Sequence, residues 1–91
     1  MSTAEATLTI CNQKGLHARA AAAFVKCVSA YESEVLVEKD GQEVDGCSIL
    51  SLMMLAASKG TSIKVTANGE DATAVIEAVS ALVNAKFGEE Q

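Results

Sequence analysis

His17 is the single histidine of the chain, and in Gly15-Leu16-His17-Ala18-Arg19 it stands two residues from an arginine. A turn-forming glycine precedes it and the run Ala20-Ala21-Ala22-Ala23 follows, so the histidine falls at the N-cap of a helix. The first turn of a helix leaves backbone N–H groups unpaired and carries the positive end of the helix dipole. Such a terminus suits a phosphate or another anion. A neutral imidazole nitrogen is a competent nucleophile toward phosphorus near pH 7. Arg19 offers a fork of charged donors for phosphoryl oxygens. The small Ala18, Ala20 and Ala22 leave the approach open to a partner. The alternative for His17 is a plain structural cap.

Ser48 is the second candidate. It precedes the apolar run 49–57, where its hydroxyl can cap a helix. A phosphate placed there would also meet a helix N-terminus. The run itself is apolar nearly all round, and a domain this small cannot cover a helix on every side. Leu52 and Leu55 are expected to face the core, with Met54 or Ala56 beside them. Ile49, Leu50 and Met53 are then left exposed as a docking patch, and methionine suits varied partners.

These residues need a scaffold, and the remaining pattern supplies one. Ninety-one residues, 49% of them apolar, make one domain over 1–91, with residues 1–5 expected to fray. Ala6, Leu8 and Ile10 alternate as a strand, and 12–15 form a loop. Ala21, Phe24, Val25 and Val28 mark one face of a helix over 18–30. Val35 and Val37 alternate on a strand over 33–39. Asp40-Gly41 turns the chain into a short strand over 42–45. The helix over 49–57 is closed by Lys59-Gly60. Ile63, Val65 and Ala67 alternate on a fourth strand. Asn68-Gly69-Glu70-Asp71 turns and caps a last helix, with Ala72, Val75, Ile76, Val79, Leu82 and Val83 as its buried stripe. The order β-α-β-β-α-β-α predicts an α+β fold: a four-stranded antiparallel sheet with three helices on one face. Thr7, Thr9, Lys64 and Thr66 then face water on the other.

Composition narrows the function. A formal charge of −5 and a pI near 4.7 argue against nucleic acid as the main partner. No signal peptide or membrane-length apolar run is evident, so a cytoplasmic protein without membrane insertion is expected. Cys11, Cys27 and Cys47 lack metal-ligand spacing and read as reduced, mostly packed thiols; no metal or cofactor is expected. Cys47 lies near a helix start, where a thiol pKa can fall. No phosphate-binding GxxxxGK[ST] loop and no GxSxG elbow occurs. Glu32, Glu34, Glu38, Asp40, Glu43 and Asp45 read as a solvated strand-edge set.

From about Leu8 to Phe87 the chain resembles the histidine-containing phosphocarrier (HPr) family of bacterial phosphoenolpyruvate-dependent phosphotransferase systems. Lys14-Gly15-Leu16-His17-Ala18-Arg19 is similar to the family's phosphohistidine motif. Gly46-Cys47-Ser48-Ile49-Leu50-Ser51-Leu52-Met53-Met54-Leu55 is similar to its regulatory serine segment. The resemblance implies an open-faced β-sandwich. It also implies that phospho-enzyme I phosphorylates His17 on Nδ1 and that an enzyme IIA-type acceptor receives the group. Arg19 would steady the phosphoryl group, Ser48 would be the target of an HPr kinase/phosphorylase, and Ala18, Ala20, Ile49, Leu50 and Met53 would form the docking surface. Many family members carry proline after the arginine, where this chain has Ala20. That departure fits a variant branch such as the nitrogen-related (NPr-type) carriers.

Three functions follow for comparison. The leading one is a monomeric phosphoryl carrier, a protein substrate of other enzymes and not itself an enzyme. The second is a binding module controlled by phosphorylation of Ser48. The third, a thiol-dependent hydrolase pairing His17 with a cysteine, finds no oxyanion motif to support it.

Overall fold

Alternating apolar residues build a sheet whose inner face is closed by helices. A computed structural model describes residues 2–91. Its elements are β1 (Ser2–Thr9), α1 (Ala18–Ser29), β2 (Glu34–Lys39), β3 (Gln42–Asp45), α2 (Ile49–Met54), β4 (Ser62–Gly69) and α3 (Ala72–Asn84). A 3-10 turn, Lys86–Gly88, follows. The four strands are antiparallel in the order β1-β4-β2-β3, and the three helices cover one face, as the pattern predicts. The register sets Leu8 opposite Ile63 and Val37 opposite Val65. These side chains share the core with Phe24 and Val28 of α1, Leu52 of α2, and Val75, Val79 and Val83 of α3. Ile76 and Leu82 pack at its margin. Thr7, Thr9 and Lys64 lie on the open face, exposed to water.

Four details depart from expectation. Residues 2–5, expected to fray, have partners in the sheet: β1 pairs with β4 from Ser2 opposite Gly69 onward, and the Lys64 ammonium lies 3.5 Å from Glu5. Backbone donors and acceptors suffice for pairing, so the polar side chains of this stretch do not prevent it. Ile10 lies past the end of β1 yet is fully buried; its N–H donates to Thr61 and its carbonyl accepts from Gly60.

The second helix stops at Met54. Leu55 caps it, and Ala56 takes a left-handed φ of 53° that no helix can continue. Leu52 and Leu55 are buried as expected, but neither Met54 nor Ala56 joins them; both are exposed.

Asp71 sits at the N-cap of α3 but makes no side-chain cap. Its carboxylate instead accepts from the Glu32 and Ser33 amides, each at 2.9 Å, and from the Ser33 hydroxyl. Asp71 therefore ties the turn before β2 to the start of α3, at a place where Gly69 leaves no room for a Cβ beside Ser33.

The Ser33 hydroxyl bond, helped by the two amides, holds the Asp71 carboxyl below the usual carboxylate range. A folded-state pKa depressed in this way adds stability above the unfolded value, and that stability is lost as pH falls through the folded one. Asp71→Ala is expected to melt earlier than the parent at pH 7. The gap should close as pH drops below about 4, read by thermal unfolding across a pH series.

Candidate functional site

Two short segments, far apart in sequence, lock together beneath His17. In the loop 12–15, the Gly15 N–H donates to the Asn12 carbonyl at 3.2 Å, and Asn12 Nδ2 donates back to the Gly15 carbonyl at 2.8 Å. Gly15 has φ +68°, and a Cβ there would lie 2.5 Å from the Ala57 carbonyl oxygen. The Leu16 N–H donates to that same oxygen at 2.8 Å, and the Leu16 side chain is buried. The left-handed residue Ala56 turns the chain after α2 so that Ala57 can present its carbonyl.

His17 follows as the N-cap of α1, in extended backbone with φ −81° and ψ −176°. Its carbonyl accepts from the Ala21 N–H at 2.8 Å, the first turn of the helix. Its ring caps the same turn: Nδ1 accepts from the Arg19 N–H at 3.3 Å. Nε2 lies 2.5 Å from Oε2 of Glu89. An acceptor nitrogen carries a lone pair and no proton, so the neutral ring is the Nε2–H tautomer, donating to Glu89. The free lone pair is thus on Nδ1, directed at the amides of α1. The side chain remains 26% exposed, enough for a partner to reach.

Glu89 completes the site from the far end of the chain. Its second oxygen accepts from Asn12 Nδ2 at 2.9 Å. The bonds from Asn12 and His17, reinforced by the Lys14 charge and by that of the ring whenever it is protonated, hold its carboxyl below the usual range. Lys14 and Arg19, both exposed, border the groove beside this carboxylate.

The other sequence candidates divide. Ala18 is exposed beside His17, but Ala20 is fully buried and cannot contact a partner. It lies four residues before Phe24 and eight before Val28, on the core face of α1, and its small side chain hid that in the pattern. Ser48 caps α2, its hydroxyl accepting from the Ser51 N–H at 3.2 Å. Ile49, Leu50, Met53 and Met54 form an exposed apolar patch on α2, with Leu50 at 68% exposure. Cys47 is exposed, and its thiol pKa is raised, not lowered, by partial burial and the Asp45 charge. Cys11 is half-buried and donates to the Val83 carbonyl at 3.2 Å. Among the described residues no three histidine, cysteine or acidic side chains gather as a metal site. Nor, among the same residues, is any helix long and apolar enough to cross a membrane.

Asn12 and Glu89 were missed. Asn12 had a signal: it occupies the next inward position after Ala6, Leu8 and Ile10, so a buried amide needing partners was foreseeable. Glu89 had only Phe87-Gly88 before it, an apolar anchor and a turn residue beyond the last helix.

An antiparallel sheet covered by helices on one side, with an accessible imidazole at a helix start, defines a class of small open-faced β-sandwich. The family profile described as "PTS HPr component phosphorylation site" matches residues 4–85. Phosphocarrier protein HPr of Neisseria meningitidis serogroup B is 45% identical over 91% of this chain and 93% of its own. Phosphocarrier protein NPr of Shewanella violacea is 38% identical over 98% of each chain. The crystal structure of an HPr from Thermoanaerobacter tengcongensis superposes with a TM-score of 0.92 at 43% identity, covering 97% of this chain and 99% of that one. The chain belongs to the HPr family of phosphocarrier proteins of the phosphotransferase system.

Gly15→Ala should be costly in two ways: about 1–2 kcal/mol for the left-handed backbone, and about 1–3 kcal/mol for the clash with Ala57. Gly41→Ala has a similar backbone, φ +84°, with open space around it, and should show only the first loss. Urea unfolding of the two variants measures the difference.

Proposed function

We propose that the chain is a phosphoryl carrier that accepts the group on His17 Nδ1 from phospho-enzyme I and passes it to an enzyme IIA-type protein. The observation that carries this is the ring geometry: Nδ1 holds a lone pair at the N-terminus of α1 while Nε2–H is held by Glu89. In the forward step the Nδ1 lone pair forms the N–P bond. The bond from phosphorus to the donor's leaving atom breaks, and its electron pair goes to that atom. Nε2 keeps its proton, and the ring becomes cationic. A phosphoryl oxygen then replaces Nδ1 as acceptor of the Arg19 N–H, at the positive end of the helix. Arg19, exposed beside the site, neutralises the transferring group. The acceptor reverses the sequence.

Carriers must dock on several enzymes, and the exposed face of α2 with Ala18 offers the surface. Ile49, Leu50, Met53 and Met54 give it apolar area. A phosphate on Ser48 adds about −1.5 to −2 charges at its edge. That charge opposes desolvation and an acidic partner without reshaping the loop under His17. An HPr kinase/phosphorylase is the enzyme that would write this mark, and the same mark would serve a regulatory binding role.

A second assignment, to the nitrogen-related branch, draws support from the NPr of Shewanella violacea and from Ala20 where many carriers have proline. Alanine at this buried helical position keeps helix propensity high and supplies a backbone N–H that proline lacks.

Incubation with phosphoenolpyruvate, magnesium and enzyme I is expected to add one acid-labile phosphate, seen by intact mass, and none to His17→Ala. No addition to the folded parent, with enzymes I of both branches active on their own carriers, overturns the assignment. Ser48→Asp is expected to raise the KM for enzyme I about tenfold, equivalent to about 1.4 kcal/mol, with kcat little changed. Steady-state transfer kinetics separate the two.

A further inference from the structure

The best-built contact of His17 comes from outside the span matched by the family profile. That profile ends at residue 85, and Glu89 lies beyond it. The tail reaches the site by an unusual path. Lys86, Phe87 and Gly88 all adopt positive φ, at 58°, 56° and 82°. Left-handed backbone is uncommon outside glycine, and two such residues in a row reverse the chain after α3. The Phe87 side chain is buried against the core, which anchors the turn. Past Glu89, the Gln91 carbonyl accepts from the Gln13 N–H at 2.9 Å. Glu89 is therefore held between an apolar anchor and a backbone bond.

Both carboxylate oxygens are engaged. Oε2 takes the Nε2–H of His17 at 2.5 Å, and Oε1 takes Asn12 Nδ2 at 2.9 Å. Asn12 is fully buried and spends its other amide hydrogen on the Gly15 carbonyl. The carboxylate is thus tied through Asn12 to the loop that carries the histidine. The other charged groups bordering this region are Lys14, Arg19 and Glu90. Glu90 is exposed and forms no side-chain hydrogen bond with any of the described residues.

We propose that Glu89 is a positioning residue for phosphoryl transfer: it holds Nε2–H of His17, keeps the lone pair on Nδ1, and neutralises the ring charge that attack creates. This rests on the phosphocarrier assignment above. When Nδ1 forms the N–P bond, the ring gains a positive charge and Nε2 keeps its proton. The bond to Glu89 then becomes a charge-assisted ion pair. No proton moves to the carboxylate. The interaction is stronger in the transition state than in the resting ring, which is the condition for raising the rate and not merely the affinity. Groups that orient an imidazole in this way commonly contribute about 10- to 100-fold where they have been removed from metal-bound histidines.

The test uses the whole chain with Glu89→Ala, and Glu90→Ala as a control that removes the same charge one residue away. Nitrogen-15 NMR of the unphosphorylated protein reads the His17 tautomer without any transfer taking place. In the parent and in Glu90→Ala the Nε2–H form should dominate; in Glu89→Ala the Nδ1–H form should rise. With enzyme I, Glu89→Ala should lose at least about tenfold in kcat at unchanged KM, and Glu90→Ala should match the parent. Equal melting temperatures and retained strand amide shifts would show that the sheet is intact, and a retained Gln13 amide shift that the tail is still docked. An unchanged tautomer in Glu89→Ala, or a changed tautomer with unchanged kcat, overturns the proposal. Absence of phosphorylation in the parent overturns it too, but through the carrier assignment, since the NMR result would still report the contact.

Discussion

The Ala57 carbonyl oxygen, with Gly15 pressed against it and the Leu16 N–H bonded to it, positions everything chemical in this molecule. Because no Cβ fits between the two segments, the loop before α1 cannot drift from the segment after α2. The start of α1, and with it His17, is fixed relative to the helix that bears Ser48 and the exposed apolar patch. The proposed nucleophile and the proposed docking patch come from different parts of the chain and are held in fixed relation by this contact. The strained backbone of Ala56 belongs to the same arrangement. A left-handed alanine costs about 1–2 kcal/mol, and here it delivers the carbonyl that Leu16 requires.

His17 is constrained from both sides of its ring, and the two contacts do different work. The Arg19 amide accepts no compromise about which nitrogen is bare, because an N–H cannot donate to another N–H. Glu89 supplies the complementary acceptor. Which ring nitrogen is bare is thus set by hydrogen-bond complementarity before any partner arrives. The proposed phosphoryl group would inherit a donor already aimed at Nδ1. This economy suits a carrier, whose ground states before and after transfer must both remain accessible to other proteins.

The sheet and its helices were legible because Val35 and Val37, Ile63 and Val65, and the 3.6-residue spacing of Phe24 and Val28 admit one inward face each. His17 was legible because glycine, histidine and a helix start sit within a few residues. What escaped had its cause at a distance. Asp71 stood where a cap belongs, yet its carboxylate found three donors around Ser33 that local sequence could not place nearby. Ser2–Glu5 lacked an apolar pattern, but the backbone of β4 gave them partners. Ala20 is too small to announce burial. Glu89 meets His17 across a separation of 72 residues, a pairing that no spacing rule anticipates.

The reversed tail has a consequence for what stability means in this protein. Burying Phe87 contributes about 1.5–3 kcal/mol, while left-handed backbone at Lys86 and Phe87 costs about 1–2 kcal/mol each. Those terms nearly cancel, so the docked tail depends on the Gln13–Gln91 bond and on Glu89 itself. Such a segment is expected to open as a local unit at a lower free energy than the sheet, which amide hydrogen exchange would read. Global unfolding and site integrity are then two different equilibria. A change that strengthens the core would raise the melting temperature and leave the docking of the tail against His17 unchanged. A change confined to the tail could undo them without any sign in the melting curve.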